Sequence, residues 1–332
     1  MKSALLCMLL GFAVALCISP LVISLVTRLK AKQNILTYVD KHKGKQGTPT
    51  MGGIIFMLST IVVYLSIHGY TNRLASIVIM VFIGYGLLGM LDDILKITHK
   101  QNEGLKAYQK ALGQGGIAII VAIYAYFDTL LGGGIVLPFG FDELNIGWVI
   151  IPFVIFVFVA ITNAVNLTDG LDGLAGGVSV AYLMSFGVIL YIYINHIRYA
   201  GYNDIAINNI IVTMYITFGL AGALLAFMCF NVYPAKIFMG DTGSLAIGGF
   251  IASSCVVTRL YLYMPIIGVM FVVSTISVIV QVLYYKATHK RIFKMAPLHH
   301  HFELSGMHET KIKSIYIIIT LLMGVVCKAF SL

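Results

Sequence analysis

The sequence predicts an all-α protein that crosses a membrane ten times as one domain. Three observations carry that reading. Of the 332 residues, 59% are hydrophobic and only 11% charged, with a mean hydropathy of +0.94, whereas soluble domains carry about 25% charged residues. Ten apolar runs come close to or exceed the roughly 18 residues that span a bilayer as helix. The basic residues, finally, fall almost entirely on alternate connections between those runs.

In chain order the predicted spans lie near residues 3–27, 52–68, 74–91, 111–127, 146–163, 174–194, 205–229, 243–258, 260–285 and 314–330. The first is far longer than the ~7–15-residue core of a signal peptide and lacks a small-residue cleavage site, so it reads as a retained helix. Connections reached after odd-numbered spans hold Arg28, Lys30, Lys32, Lys41, Lys43, Lys45, Lys96, Lys100, Lys106, Lys110, Lys236, Lys286, Lys290, Arg291, Lys294, Lys311 and Lys313, which is 17 of the 22 basic residues. The other side keeps Lys2, Arg73, Arg198, Arg259 and Lys328. The positive-inside rule then makes the odd connections cytoplasmic and puts both termini outside. The Gly-rich outer stretch 128–147 reads as a small β-hairpin without chemistry. The five cysteines lie in apolar segments without CxxC spacing, so neither a disulfide framework nor a zinc site is indicated. The net charge of +9 marks loops facing lipid headgroups and is no nucleic-acid signature. Residues 1–332 form a single membrane domain.

Every polar motif falls on the cytoplasmic side. The first inner loop carries Lys45-Gln-Gly-Thr-Pro-Thr-Met-Gly-Gly53, in which Lys45, Thr48 and Thr50 suit an anion. The third span ends in Leu91-Asp-Asp-Ile-Leu-Lys96. There Asp92 and Lys96 share a helix face, and Asp93 is rotated about 100° away. After the fifth span comes Asn163-Ala-Val-Asn-Leu-Thr-Asp-Gly-Leu-Asp-Gly173, with Asn163 and Asn166, then Asp169 and Asp172, each three apart and on one face if helical. Asn231-Val-Tyr-Pro-Ala-Lys-Ile-Phe-Met-Gly-Asp-Thr-Gly-Ser244 leads into the eighth span, where Thr242 or Ser244 is expected to cap the helix and Asp241 to stand just before its positive end. The last inner loop holds Pro297-Leu-His-His-His-Phe-Glu303; adjacent histidines rarely converge on one metal, so imidazoles beside Lys290, Arg291 and Lys294 suit phosphate or acid–base work.

Ionisable groups at a membrane are costly and therefore functional by default. Five acids, several amides, histidines and lysines on one face call for a common purpose. Hard oxygen ligands without thiolates point to Mg²⁺ or Mn²⁺. Cations beside that metal imply a phosphorylated substrate, and the membrane boundary implies a lipid co-substrate. A transporter would need its polar groups near the bilayer midplane on broken helices, whereas these lie at helix ends.

At these residues the chain resembles the phospho-N-acetylmuramoyl-pentapeptide transferase family of the polyprenyl-phosphate sugar-1-phosphate transferase superfamily, over essentially its whole length. Thr48-Pro-Thr-Met-Gly-Gly53 and the His299-His300-His301 loop with Phe302-Glu303 favour this branch over sibling enzymes that use UDP-N-acetylglucosamine. A local departure is Met307-His308, where the family usually continues with a Trp. The resemblance implies attack of undecaprenyl phosphate on the β-phosphate of UDP-N-acetylmuramoyl-pentapeptide at the bacterial cytoplasmic membrane, with UMP released and Mg²⁺ as cofactor. Carried over by motif, Asp241 holds the metal, Asp92 and Asp93 handle the lipid phosphate with Asp92 as base or nucleophile, and His299 joins the catalytic set. The substrate-binding set comprises Lys45, Thr50, Lys96, Lys110, Asn163, Asn166, Asp169, Asp172, Asn231, Phe238, Gly240, Gln281, His300 and His301. The oligomeric state stays open, a homodimer included.

Overall fold

The computed structural model describes residues 1–28, 47–99 and 104–331. Twelve helices account for nearly all of it: α1 (Lys2–Arg28), α2 (Gly53–Ser66), α3 (Arg73–His99), α4 (Ala107–Phe127), α5 (Ile150–Thr168), α6 (Leu174–Tyr199), α7 (Asp204–Asn231), α8 (Gly240–Thr258), α9 (Tyr263–Ile267), α10 (Val269–Thr288), α11 (Leu298–Leu304) and α12 (Glu309–Phe330). Nine of the described helices are long and apolar enough to cross a membrane; α2, apolar but 14 residues long, is the short exception. All ten predicted runs are therefore helical, and the chain is a multi-pass α-helical membrane protein.

The bundle is built around α8. Its sequence is rich in Gly, Ala and Ser, and almost every residue of it is buried. Small side chains let helix backbones come close without any aqueous hydrophobic drive. At Gly53, for example, an added Cβ would lie 2.4 Å from the Gly243 Cα, so α2 and α8 touch backbone to backbone. Helix α3 packs against α8 and α1 against α7 over long stretches, with α5 and α6 filling the remaining faces. By contrast α1, α4, α10 and α12 leave most of their surface outward, as a helix facing lipid must.

Two expectations need correction. The predicted ninth span, 260–285, is not one helix: α9 ends at Ile267, Gly268 breaks the ladder, and α10 restarts at Val269 with its last two turns exposed. Thr242 and Ser244 do not cap α8. The helix begins one residue before Asp241, Met239 takes the N-cap position without a side-chain bond, and the Ser244 Oγ donates back to the Gly240 carbonyl at 3.1 Å.

The hairpin expected in 128–147 is present, with strands β1 (Gly134–Val136) and β2 (Glu143–Asn145) antiparallel. It closes the other end of α8. The Val136 N–H donates to the Arg259 carbonyl at 2.9 Å, and the Arg259 guanidinium grips both oxygens of Glu143 at 2.6 and 3.1 Å.

Candidate active site

At the N-terminal end of α8, three helices converge on one carboxylate. Lys96 Nζ of α3 and Lys110 Nζ of α4 lie 2.9 and 2.7 Å from Asp241 Oδ2. Asn166 Nδ2 of α5 donates to Asp241 Oδ1 at 2.6 Å and to Ser244 Oγ at 2.8 Å. Lys96 also pairs with Asp92 Oδ2 at 2.6 Å, as the i, i+4 spacing requires, while the other oxygen of Asp92 accepts the Leu105 N–H at 2.7 Å. Ligand oxygens of Asp92, Asp93 and Asp241 all lie within 4.8 Å of one another.

Asp93 has a separate task. It is 3% exposed, and its carboxylate faces the first turn of α8. Oδ1 accepts the Asp241 N–H at 3.1 Å, and Oδ2 accepts the Thr242 N–H at 2.9 Å and the Thr242 hydroxyl at 2.6 Å. The first N–H groups of a helix have no partner inside it, and the helix end carries positive partial charge. Asp93 therefore caps α8 from another helix, replacing the local cap expected of Thr242 or Ser244. Gly240 makes the approach possible: its φ is +72°, and a Cβ there would meet Asp93 Oδ2 at 2.4 Å and Thr50 Oγ1 at 2.7 Å.

Of the remaining predicted residues, Thr50 and Phe238 lie beside the start of α8. Backbone bonds from Phe238 N to Pro49 O (2.8 Å), Gly52 N to Phe238 O (2.8 Å) and Gly53 N to Met239 O (3.0 Å) lace the Thr50 loop to the segment before α8. Asn163 and Asn166 lie within α5, but α5 ends at Thr168, so the two aspartates after it are not helical and the condition for their sharing a face is not met. Asp172 Oδ2 accepts the Ala235 N–H at 2.9 Å, and Asn231 Nδ2 donates to the Ile237 carbonyl at 2.8 Å. Burial and the neighbouring Asp241, Asp93 and Asp172 carboxylates push the pKa of Asp169 up to about 8. Asn163 Nδ2 donates to Gln114 Oε1 at 3.0 Å, a residue the sequence reading passed over.

The histidine loop forms α11. His299 is fully buried, and both its ring nitrogens lack a partner among the described residues. Burial first, then His300, holds its pKa well below the ordinary value, so the ring is neutral. His300 Nδ1 lies 3.1 Å from Glu303, and His301 Nδ1 accepts the Lys294 N–H at 3.1 Å. Gly170 joins this loop to the acidic one: a Cβ there would stand 2.4 Å from His299 Nε2 and 2.8 Å from His300 Nε2. Gln281 accepts the Ile292 and Phe293 N–H groups of the chain after α10 at 3.2 and 2.9 Å. Lys45 lies outside the described residues.

Oxygen-only donors of excess negative charge, with two ammonium groups already where a cation would sit, fit a hard divalent ion. The same lysines are the obvious partners for phosphate once such an ion takes the carboxylates.

Residues 74–259 match glycosyl transferase family 4, and residues 45–57 match phospho-N-acetylmuramoyl-pentapeptide-transferase signature 1. Curated proteins named phospho-N-acetylmuramoyl-pentapeptide-transferase are similar along nearly the whole chain. That of Clostridium novyi (strain NT) is 43% identical over 95% of this chain and 93% of its own length. That of Clostridium perfringens (strain 13 / Type A) is 45% identical over 94% and 93%, and that of Thermoanaerobacter sp. (strain X514) is 43% identical over 94% and 93%.

Proposed function

The chain belongs to the phospho-N-acetylmuramoyl-pentapeptide-transferase family of glycosyl transferase family 4, and on that premise we propose that the Asp92–Asp93–Asp241 centre passes phospho-N-acetylmuramoyl-pentapeptide from its UDP carrier to undecaprenyl phosphate. The observation that carries this reading is the convergence of Lys96, Lys110 and Asn166 on Asp241 at the start of a buried helix. A sibling use of UDP-N-acetylglucosamine is disfavoured by the signature at 45–57 and by the names of the relatives.

In the proposed reaction an oxygen of undecaprenyl phosphate attacks the β-phosphorus of the UDP-sugar. The bond from that phosphorus to the bridging oxygen breaks, and UMP leaves. Asp92 takes the proton of the lipid phosphate: its Oδ2 faces the Lys96 ammonium at 2.6 Å and its carboxyl stands beside Asp241, whereas all three bonds of Asp93 go to the start of α8. Lys96 then turns from Asp92 and Asp241 to the lipid phosphate, and Lys110 to the diphosphate. Asp241, with Asp92 beside it, would hold Mg²⁺, which when bound supplies neutralisation of the diphosphate and of departing UMP. Asn163, Asn166, Asp169, Asp172, Asn231, Phe238 and His300 line the approach for the sugar nucleotide; His299 offers a neutral ring nitrogen to it.

The distribution of basic residues supports the reading that this centre faces the cytoplasm at the bacterial cytoplasmic membrane, in a protein of ten spans with both termini outside. Cysteine labelling in cells should find position 140 accessible from outside and position 300 only from inside; the reverse overturns that topology. The activity is tested with purified protein, undecaprenyl phosphate and Mg²⁺, offered each UDP-sugar in turn. UMP release with the muramoyl-pentapeptide donor alone is expected. Release with the N-acetylglucosamine donor alone would establish the sibling activity instead.

A further inference from the structure

Helix α4 buries a narrow stripe, Gln114, Ala118, Val121, Ala122 and Ala125, in which Gln114 is the only polar residue. It is 2% exposed. Its side-chain oxygen accepts from Asn163 Nδ2 at 3.0 Å, and its backbone carbonyl accepts the Tyr85 hydroxyl at 2.9 Å. Its Nε2 has no partner among the described residues, and a buried donor without an acceptor weakens a fold. An apolar side chain would serve packing alone better at this place.

The three residues so joined have matching neighbours. Tyr85 on α3 shares a helix face with Asp92 and Lys96, two and three turns along. Gln114 lies one turn from Lys110 on α4, and Asn163 one turn from Asn166 on α5. Lys96, Lys110 and Asn166 are the three side chains that meet on Asp241. Gln114 thus sits at a second junction of the same three helices, one layer deeper.

We propose that Gln114 is a positioning residue, whose side chain sets the register of α4 against α5 so that Lys110 and Asn166 converge on Asp241. The proposal rests on the transferase reading above. It predicts that Gln114→Met, of similar shape but without acceptor or donor, lowers kcat at least tenfold. KM for the UDP-sugar should stay within threefold and the melting temperature should not fall. A double-mutant cycle separates positioning from a general packing role: on an Asn166→Ala background, Gln114→Met should cost less than twofold further in kcat. Gln114→Glu, which keeps an oxygen to accept from Asn163 Nδ2, should hold kcat within threefold of the parent, and decides the matter if Gln114→Met does not fold. Parent kcat in Gln114→Met, a tenfold loss in a folded Gln114→Glu, a loss of the same factor in both backgrounds, or a loss that tracks melting temperature would overturn the proposal. An inactive parent enzyme would instead refute the transferase reading.

Discussion

Replacing Asp93 by Asn tests the cap that α3 lends to α8. The carboxylate accepts three hydrogen bonds, from Asp241 N, Thr242 N and Thr242 Oγ1. An Asn can keep the two at Oδ2 through its carbonyl, now as neutral bonds, but its NH₂ then faces the Asp241 N–H. One charge-assisted bond is lost outright, each such bond contributing about 1.5–3 kcal/mol, and an N-cap is worth about 0.5–2 kcal/mol. Together with the lost charge at the helix end, the expected cost is about 2–4 kcal/mol. For a chain of this size that lowers the melting temperature by roughly 3–6 °C. Asp92→Asn breaks only the Leu105 contact or the Lys96 pair, and Lys96 retains Asp241, so it should lose less than half as much. Both variants should lose turnover, but Asp92→Asn should bind the UDP-sugar within a few-fold of the parent. Scanning fluorimetry, calorimetric binding and UMP release on the purified variants decide between them. An Asp93→Asn enzyme that melts with the parent, or an Asp92→Asn enzyme that turns over normally, would refute the division of labour.

Further outcomes follow from the same geometry. Asp241→Asn should remain folded and lose metal-dependent turnover more than tenfold; a tenth of the parent rate or better would remove Asp241 from the metal site. Gly170→Ala pushes a methyl into His299 and His300, so kcat/KM should drop at least tenfold while the bundle still melts cooperatively, and parent activity would show that the two loops need not touch. His299 has a folded pKa below its unfolded one, so the unfolded chain takes up the extra proton and stability falls as pH drops below about 6.5. His299→Gln should blunt that acid-side loss, measured as melting temperature from pH 8 to 5; an unchanged slope would mean that the ring is charged in the folded protein.

Much of this architecture could be read from one-dimensional pattern. Spans and the hairpin depend on local composition, and the Asp92–Lys96 pair on residues four apart; the meeting of Asp92, Asn166 and Asp241 was legible only as a common side of the membrane and from the family motifs. What escaped was non-local or masked by uniform hydropathy. Thr242 and Ser244 looked like caps because caps are usually local, yet the acceptor came from a residue 148 positions earlier. The run from Leu260 to Leu283 is apolar on both sides of Gly268, so hydropathy carries no mark of the break. Gln114 resembled any single amide in a long apolar segment; only its meeting with Asn163 and Tyr85 shows its place. Gln281, expected at the substrate, also accepts the Ile292 and Phe293 N–H groups, a contact with the following loop that no local spacing marks.

The brevity of α2 has a consequence for where the lipid reacts. Fourteen helical residues rise about 21 Å against roughly 30 Å of hydrocarbon. Its first residue is bonded to Met239, and so to the start of α8. Helix α3 gives an independent ruler: it continues from Asp92 to His99, about 10 Å beyond the carboxylates. Along α3 the carboxylates therefore sit about 10 Å short of the helix end. A long isoprenoid can present its phosphate there with its tail still immersed in oil. In the proposed reaction the water-soluble donor would then be the substrate that approaches from beyond the helix ends, while the polyprenyl chain could keep to the apolar flank of the bundle.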